Sequence, residues 1–326
     1  MIAEHNHFYK LLIIPYFMVE VLNHILESQQ FSPEILLTLF NRADQLRGNG
    51  CDDCLKNKIL ATLFYEPSTR TRLSFESAML RLGGSVISTE NAKEFSSAIK
   101  GESLSDSIRV VSDYCDCIVI RHYETGAALE ASKVSSVPII NAGDGKGQHP
   151  TQSLLDVYTI FREFGRLDNL KIAMVGDLAS GRTVRSLCYL LAKFPGNKII
   201  FVSPENLKMG QDIKEHLKKK NIEFSEEVDL NKVLGEVDII YMTRIQKERI
   251  SKEDYERAKG KYVISMDNFQ IIKNESRIMH PLPHVEEIEL PIELEEKDPR
   301  VAYFRQAENG LYIRMALLDM IINGEK

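Results

Sequence analysis

Residues 58–84 read KILATLFYEPSTRTRLSFESAMLRLGG, and the change of character halfway along decides the fold. Lys58 to Tyr65 is an apolar run with the length and composition of a buried strand. Pro67 then biases Glu66 away from helical geometry. From Thr71 onward the apolar residues fall at helical spacing, and the Gly83-Gly84 pair supplies a C-terminal stop. The stretch is therefore a strand, a tight loop and a helix, with Ser68 and Thr69 at the helix N-terminus. Unbonded N–H groups and the macrodipole attract anions there. Arg70 at the same end opposes the dipole of an empty helix. A bound dianion reverses that penalty, so the three hydroxyls and two arginines of residues 68–72 read as an anion socket rather than a plain serine cap.

Outward from this unit the same alternation continues. Further β-type runs are CIVIRH (117–122), VPIINA (137–142), KIAMVGD (171–177), KIIFVS (198–203), DIIYMT (238–243) and KYVISMD (261–267). Between them lie helical patterns such as SLSDSIRVVSDY, TQSLLDVYTIFREFG, TVRSLCYLLAKF and DIKEHLKKKN. Strands rich in Ile and Val alternating with helices indicate βαβ units. The predicted class is α/β with two domains, each a mostly parallel sheet flanked by helices. A length of 326 residues agrees with two cores. The polar stretch NAGDGKGQ (141–148) is the candidate boundary, with the helix after His149 as the other choice. The first domain is expected to span 1–149 and the second 150–305. The last helical pattern, AENGLYIRMALLDMIIN (307–323), has no strand after it. It is expected to pack back on the first domain, completing it with about 306–326.

Composition narrows the classes. With 41 basic and 47 acidic side chains the net charge is −6, whereas general nucleic-acid binders carry a strong basic excess. The N-terminal LLIIPYFMVEV (11–21) is broken by Pro15 and followed closely by charge at Glu20. No run reaches the ~20 apolar residues that span a bilayer, and no leader pattern is evident, so an extra helix or a start at Met18 is expected. An odd count of five cysteines without a disulfide-type spacing points to a reducing, cytoplasmic compartment. Cys51/Cys54 and Cys115/Cys117 match no common zinc spacing, and no metal or other cofactor is expected.

One stretch admits a different class. Gly176-Asp-Leu-Ala-Ser-Gly181-Arg182-Thr183 is one residue short of the phosphate loop G-x4-G-K-[ST], with Asp267 as a magnesium-binding acid. Arg182 stands where that motif needs lysine, and the turn lacks the G-x-G-x-x-G spacing of a dinucleotide binder.

Taken together, FYEPSTRTRLSFE (64–76), HPTQSLLDVYTI (149–160), GDLASGRTV (176–184), MTRIQKER (242–249), MHPLP (279–283) and YFRQAENGLYIRMALL (303–318) resemble the aspartate and ornithine transcarbamoylase family, in the family's order. The HPTQ, R-x-Q and P-L-P elements are similar to the aspartate branch. The H-C-L-P and S-M-G motifs typical of ornithine enzymes are absent from the sequence. An ornithine or acylated-ornithine enzyme remains the alternative within the family.

The resemblance implies a division of labour. Ser68, Thr69, Arg70 and Thr71 would grip the phosphate of carbamoyl phosphate, with Arg70 countering charge on the leaving oxygen. Thr71, Arg121 and His149 would polarise the carbonyl. Gln152 and the backbone of Pro281 and Leu282 would hold the amide. Arg182 would take the α-carboxylate of L-aspartate, and Arg244 with Gln246 its side-chain carboxylate, as arginine's planar fork suits. Arg244 also has helical spacing for a bridge to Glu248, and Glu66 with Arg249 resembles the family's pair that fastens the domains. Ser96 and Lys100, in the uneven ENAKEFSSAIKGES (90–103), would reach a neighbouring subunit's site, with Lys100 touching both substrates. That makes a homotrimer with shared sites the implied assembly, and the resemblance also admits regulatory chains. No nucleic-acid or membrane partner is implied. One departure is His284, where the family carries arginine after P-L-P. A permanent charge becomes a titratable one there, so weakened aspartate affinity or altered domain closure is expected.

Overall fold

The computed structural model describes residues 22–90, 101–245, 253, 255 and 260–324. The chain forms two compact units, one comprising residues up to Leu154, Ile160–Gly165 and the chain from Gly310, the other Leu155–Thr159 and Arg166–Asn309. The division thus runs through the helix that follows His149.

The first unit contains, in order, α1 (Pro33–Asn49), β1 (Ile59–Phe64), α2 (Thr69–Arg81), β2 (Ser85–Glu90), α3 (Leu104–Ser112), β3 (Cys117–His122), α4 (Ala127–Val134) and β4 (Ile139–Asp144), followed by α5 (Pro150–Phe164), which both units share. Its sheet is parallel throughout, in the order β2-β1-β3-β4. The interior strands β1 and β3, and β4 at one edge, are buried almost end to end, as apolar runs in covered parallel sheets are. The edge strand β2 (SVISTE) is largely exposed, and its polar alternation hides it from a search for apolar runs.

The second unit continues with β5 (Lys171–Val175), α6 (Arg182–Leu191), β6 (Lys198–Val202), α7 (Gln211–Lys219), β7 (Glu223–Glu227), α8 (Asn231–Leu234), β8 (Ile239–Met242), β9 (Ile264–Ser265), α9 (Met266–Phe269), β10 (Arg277–Met279), β11 (Ile288–Glu289), α10 (Ile292–Lys297) and α11 (Tyr303–Asn323). The main sheet is parallel, in the order β10-β8-β5-β6-β7, and β9 pairs with β11 in a two-stranded ribbon. The run KYVISMD therefore gives only the short β9 before the chain turns into α9. Edge strand β7 (EFSEE) is as polar as β2.

Both sheets use the same device to fix register. Asp116, just before β3, accepts the Ile59 N–H on its carboxylate at 2.8 Å and donates its own N–H to Ile59 O at 2.8 Å. Asp238, just before β8, does the same with Lys171 at 2.8 Å in both directions. Each aspartate also meets a lysine, Lys58 at 2.9 Å and Lys273 at 3.4 Å.

The C-terminal half of α11 packs on the first unit. Asp319 pairs with Arg42 at 2.6 Å, and Arg47 lies over the Tyr312 ring at 4.1 Å. Asn323 donates to Cys54 O at 2.8 Å.

One sequence expectation is corrected, at the cysteines. Asn141 to Asp144 of NAGDGKGQ complete β4, and the loop beyond is tied into the first unit. Asp144 accepts the N–H groups of Gly126 at 2.7 Å and Gln148 at 3.0 Å. Cys51 and Cys54 are joined as a disulfide, because the turn at Asp52-Asp53 brings their Cα atoms to 5.6 Å, inside bridging range. Cys115, Cys117 and Cys188 are free thiols. Burial pushes Cys115 up to about 11 and the other two well above the ordinary thiol value, so none is poised as a nucleophile. Among the described residues no helix is long and apolar enough to cross a membrane.

Candidate active site

In each unit the candidate residues gather at the C-terminal ends of three adjacent parallel strands, where open α/β sheets bind ligands. In the first unit Ser68–Thr71 follow β1, Arg121 lies at the end of β3, and His149 and Gln152 follow β4. Register sets Phe64 directly beside Arg121. Arg121 Nη2 is 2.9 Å from Glu66 Oε2, so the arginine is tied to the loop that leads into Ser68. His149 and Thr71 are buried, at 4% and 7% exposure. His149 arrives from a pinned loop: Asn141 donates to Leu26 O at 2.9 Å, and Gln148 Oε1 accepts the Ser28 N–H at 2.9 Å. Its Nδ1 lies 3.4 Å from Thr151 Oγ1.

The N-terminus of α2 is left uncapped. Ser68 makes no side-chain cap, and no acidic residue occupies the first turn. The first intrahelical bond there is Arg72 N–H to Ser68 O at 3.0 Å. The two arginines of the socket then diverge. Arg72 is neutralised by Glu90 at 2.9 Å and Glu76 at 3.4 Å, and it also donates to Ser88. Arg70 meets no carboxylate among the described residues, and partial burial alone pulls its guanidinium below its ordinary value.

The same pattern recurs on α5 and α6. Neither has a side-chain cap or an acidic first turn, and they begin on His149 as N-cap and on Arg182 as first residue. By contrast α1, α3, α4 and α7 each carry a first-turn Asp or Glu. The terminal helix α11 also lacks one, so the absence is informative only with the cations beside it.

In the second unit Arg182 follows β5, Arg244 follows β8, and Pro281-Leu282 follow β10. Their strands are neighbours in register, with Val175 beside Met242 and Met279 beside Tyr241. Gly176 allows the close packing at this edge: its φ is +114°, and a Cβ there would meet Thr243 O at 2.2 Å. Thr243 donates both its N–H and its hydroxyl to Val175 O at 2.8 Å, which anchors the main chain before Arg244. Arg182 is buried and Arg244 half-buried. Gln246, Ser96, Lys100, Glu248 and Arg249 lie outside the described residues.

The loop 176–181 does not serve as a phosphate loop. Such a loop offers its N–H groups to the ligand. Here Leu178 and Ala179 donate to Leu207 O at 3.1 Å, and Ser180 donates to Asp177 at 2.9 Å. Asp267 is exposed on α9, after a different sheet. Among the described residues no three His, Cys, Asp or Glu side chains are placed to hold a metal ion.

At Pro281-Leu282 the donors are already spent. Proline has no N–H, and the Leu282 N–H goes to His280 Nδ1 at 2.8 Å. What the segment can offer a ligand is therefore carbonyl oxygen. His284 sits with its Nε2 3.4 Å from Glu295 and its ring 5.3 Å from that of Tyr303. Behind this loop lies a buried polar group absent from the motif reading: His280, Glu287, Gln306 and Asp156. Its sequence signal is polar residues set among apolar ones, as Asp156 is between Leu155 and Val157.

Both units match domains of known proteins. Residues 23–162 match the carbamoyl-P binding domain of aspartate/ornithine carbamoyltransferase, and residues 168–321 match its Asp/Orn binding domain. The chain is 55% identical over 309 residues to aspartate carbamoyltransferase 1, chloroplastic, of Pisum sativum, covering 93% of this chain and 79% of that one. It superposes on the catalytic subunit of M. jannaschii aspartate transcarbamoylase with a TM-score of 0.85 and 47% identity, covering 93% and 100% of the two chains. It also superposes on aspartate transcarbamoylase from Trypanosoma cruzi in complex with carbamoyl phosphate and aspartate, with a TM-score of 0.84, 37% identity and coverage of 92% and 95%.

The buried carboxylate behind the loop predicts an acid sensitivity. Burial alone would raise the Glu287 pKa, but His280 at 2.8 Å and the Val285 and Glu286 N–H groups hold it below the ordinary carboxylate value. A depressed folded pKa stabilises the fold above the unfolded pKa, and that stability is lost as pH falls through the folded value. Glu287→Gln is expected to reduce the fall in Tm between about pH 5 and about pH 3. An acid profile identical to that of the parent protein contradicts this.

Proposed function

Because the chain belongs to the aspartate/ornithine carbamoyltransferase family, we propose that it transfers the carbamoyl group of carbamoyl phosphate to the amine of L-aspartate. The products are N-carbamoyl-L-aspartate and phosphate. The observation that carries this reading is Arg70, held at the uncapped start of α2 without a carboxylate among the described residues while Arg72 beside it is fully paired.

Phosphate binds at that helix end, to Ser68, Thr69, Arg70 and Thr71, joined by Ser96 and Lys100. Hydrogen bonds to charged groups are worth roughly 1.5–3 kcal/mol each, so this set suffices to hold the dianion. Thr71, Arg121 and His149 donate to the carbonyl oxygen where negative charge develops. For Arg121 this means exchanging Glu66, its present acceptor at 2.9 Å, for the substrate. Gln152 and the carbonyls of Pro281 and Leu282 take the amide, whose two N–H groups need acceptors. Arg182 binds the α-carboxylate, and Arg244 with Gln246 and Lys100 binds the side-chain carboxylate.

The neutral amine adds to the carbamoyl carbon, forming the C–N bond and an oxyanion. Collapse of that intermediate breaks the C–O bond to phosphate, and the leaving phosphate takes the amine proton. The acyl donor arrives already activated, so the enzyme contributes orientation and electrostatics.

The proposed setting is de novo pyrimidine biosynthesis in the cytoplasm; the named pea relative is chloroplastic. The proposed assembly is a homotrimer with shared sites. It is supported by exposed Leu73 and Leu80, two turns apart on α2, with Ile87 on the neighbouring strand.

Purified protein supplied with carbamoyl phosphate is expected to carbamoylate L-aspartate and to leave ornithine and N-acetylornithine unchanged. Arg70→Ala is expected to lower kcat/KM about 10²–10³-fold, the usual loss for one such donor. Turnover of ornithine overturns the choice of amine, and an unimpaired Arg70→Ala enzyme overturns the phosphate site. For the shared sites, inactive Arg70→Ala and Lys100→Ala chains, unfolded together and reassembled, are expected to recover part of the activity. Mixtures that stay inactive argue for sites complete within one chain.

A further inference from the structure

Side-chain donors can adjust to a substrate, but the Pro281-Leu282 carbonyls point wherever the main chain sends them. The main chain there has an uncommon course: Leu282 has φ +54°, a region that L residues visit rarely. What holds it is buried behind the loop. Asp156 is 0% exposed and Gln306 1%, with His280 at 2%.

The hydrogen bonds among these groups run in one direction only. Asp156 accepts from Tyr241 Oη at 2.7 Å and from Gln306 Nε2 at 2.6 Å. Gln306 Oε1 accepts the His280 N–H at 2.8 Å. The Leu282 N–H donates to His280 Nδ1 at 2.8 Å. Nδ1 therefore carries no proton, and the ring proton sits on Nε2, 2.8 Å from Glu287 Oε1. The N–H groups of residues 280 and 282 can only donate, so they fix the Gln306 amide and the His280 tautomer. The N–H groups of residues 280 and 282 are pinned on either side of Pro281.

We infer that Asp156, Gln306 and His280 are positioning residues that aim the Pro281 and Leu282 carbonyls at the amide of the acyl donor, and so set the preference for a carbamoyl over an acetyl group. This rests on the proposed reading that the segment takes the amide. Acetyl phosphate has the same phosphate and nearly the same shape, with methyl in place of NH₂. A site built to accept N–H bonds rejects an analogue that lacks them, because its own acceptors are left unpaired. A displaced loop loses that discrimination while the phosphate grip on α2 stays intact.

The test compares kcat/KM for carbamoyl phosphate and acetyl phosphate, with aspartate as acceptor, alongside inhibition by inorganic phosphate. In His280→Leu the carbamoyl preference is expected to fall about tenfold or more, with phosphate inhibition changed less than about twofold. His280→Asn, whose amide oxygen stands near the Nδ1 position, is expected to keep the preference within about threefold. Gln306→Leu, expected to lose several-fold, supplies the same comparison if His280→Leu does not fold. An unchanged preference in a folded variant, or phosphate binding that weakens in step with it, overturns the inference. A parent enzyme with no preference overturns the reading of the loop as well.

Discussion

Parallel pairing is the constraint on which the site depends. Because β1, β3 and β4 run the same way, whatever follows their C-terminal ends must emerge on one edge of the sheet. The pairing of Phe64 with Arg121 fixes how far each strand reaches. Asp116 sets that register from the opposite edge, and Asp238 repeats the device in the second unit. Residues far apart in sequence, such as Arg70, Arg121 and His149, thus reach a common edge without any of them contributing to the core.

The charge pattern follows from the same geometry. Helices that follow strands in such sheets present their N-termini at the ligand edge. Several helices carry Asp or Glu in the first turn, as at Glu34 and Asp106. At the candidate site, α2, α5 and α6 instead start with a cation or histidine and no side-chain cap. That choice is unfavourable in an empty protein and favourable with a dianion present. A chain of net charge −6 that keeps cations at these helix ends fits the anionic substrates proposed for it.

The sequence was most legible where one residue type has one physical use. Buried parallel strands are continuous apolar runs, so β1 and β3 fall almost where KILATLFY and CIVIRH place them. The edge strands β2 and β7 escaped because strands exposed on an edge need not be apolar. NAGDGKGQ has the composition of a linker but is fixed by Asp144, a contact no local pattern displays. The Cys51–Cys54 disulfide depends on a turn geometry that spacing alone does not specify. In the site, arginines at strand ends could be read directly. The support behind Pro281-Leu282 could not, since Gln306 reaches Asp156 across 150 positions and only the folded chain brings them together.

The central claim is that the start of α2 holds the phosphate of the donor. A crystal structure of the protein with carbamoyl phosphate tests it most directly. The account predicts phosphate oxygens within hydrogen-bond distance of the Thr69, Arg70 and Thr71 N–H groups and of the Arg70 guanidinium. Phosphate bound elsewhere, with this helix end open to solvent, would contradict it.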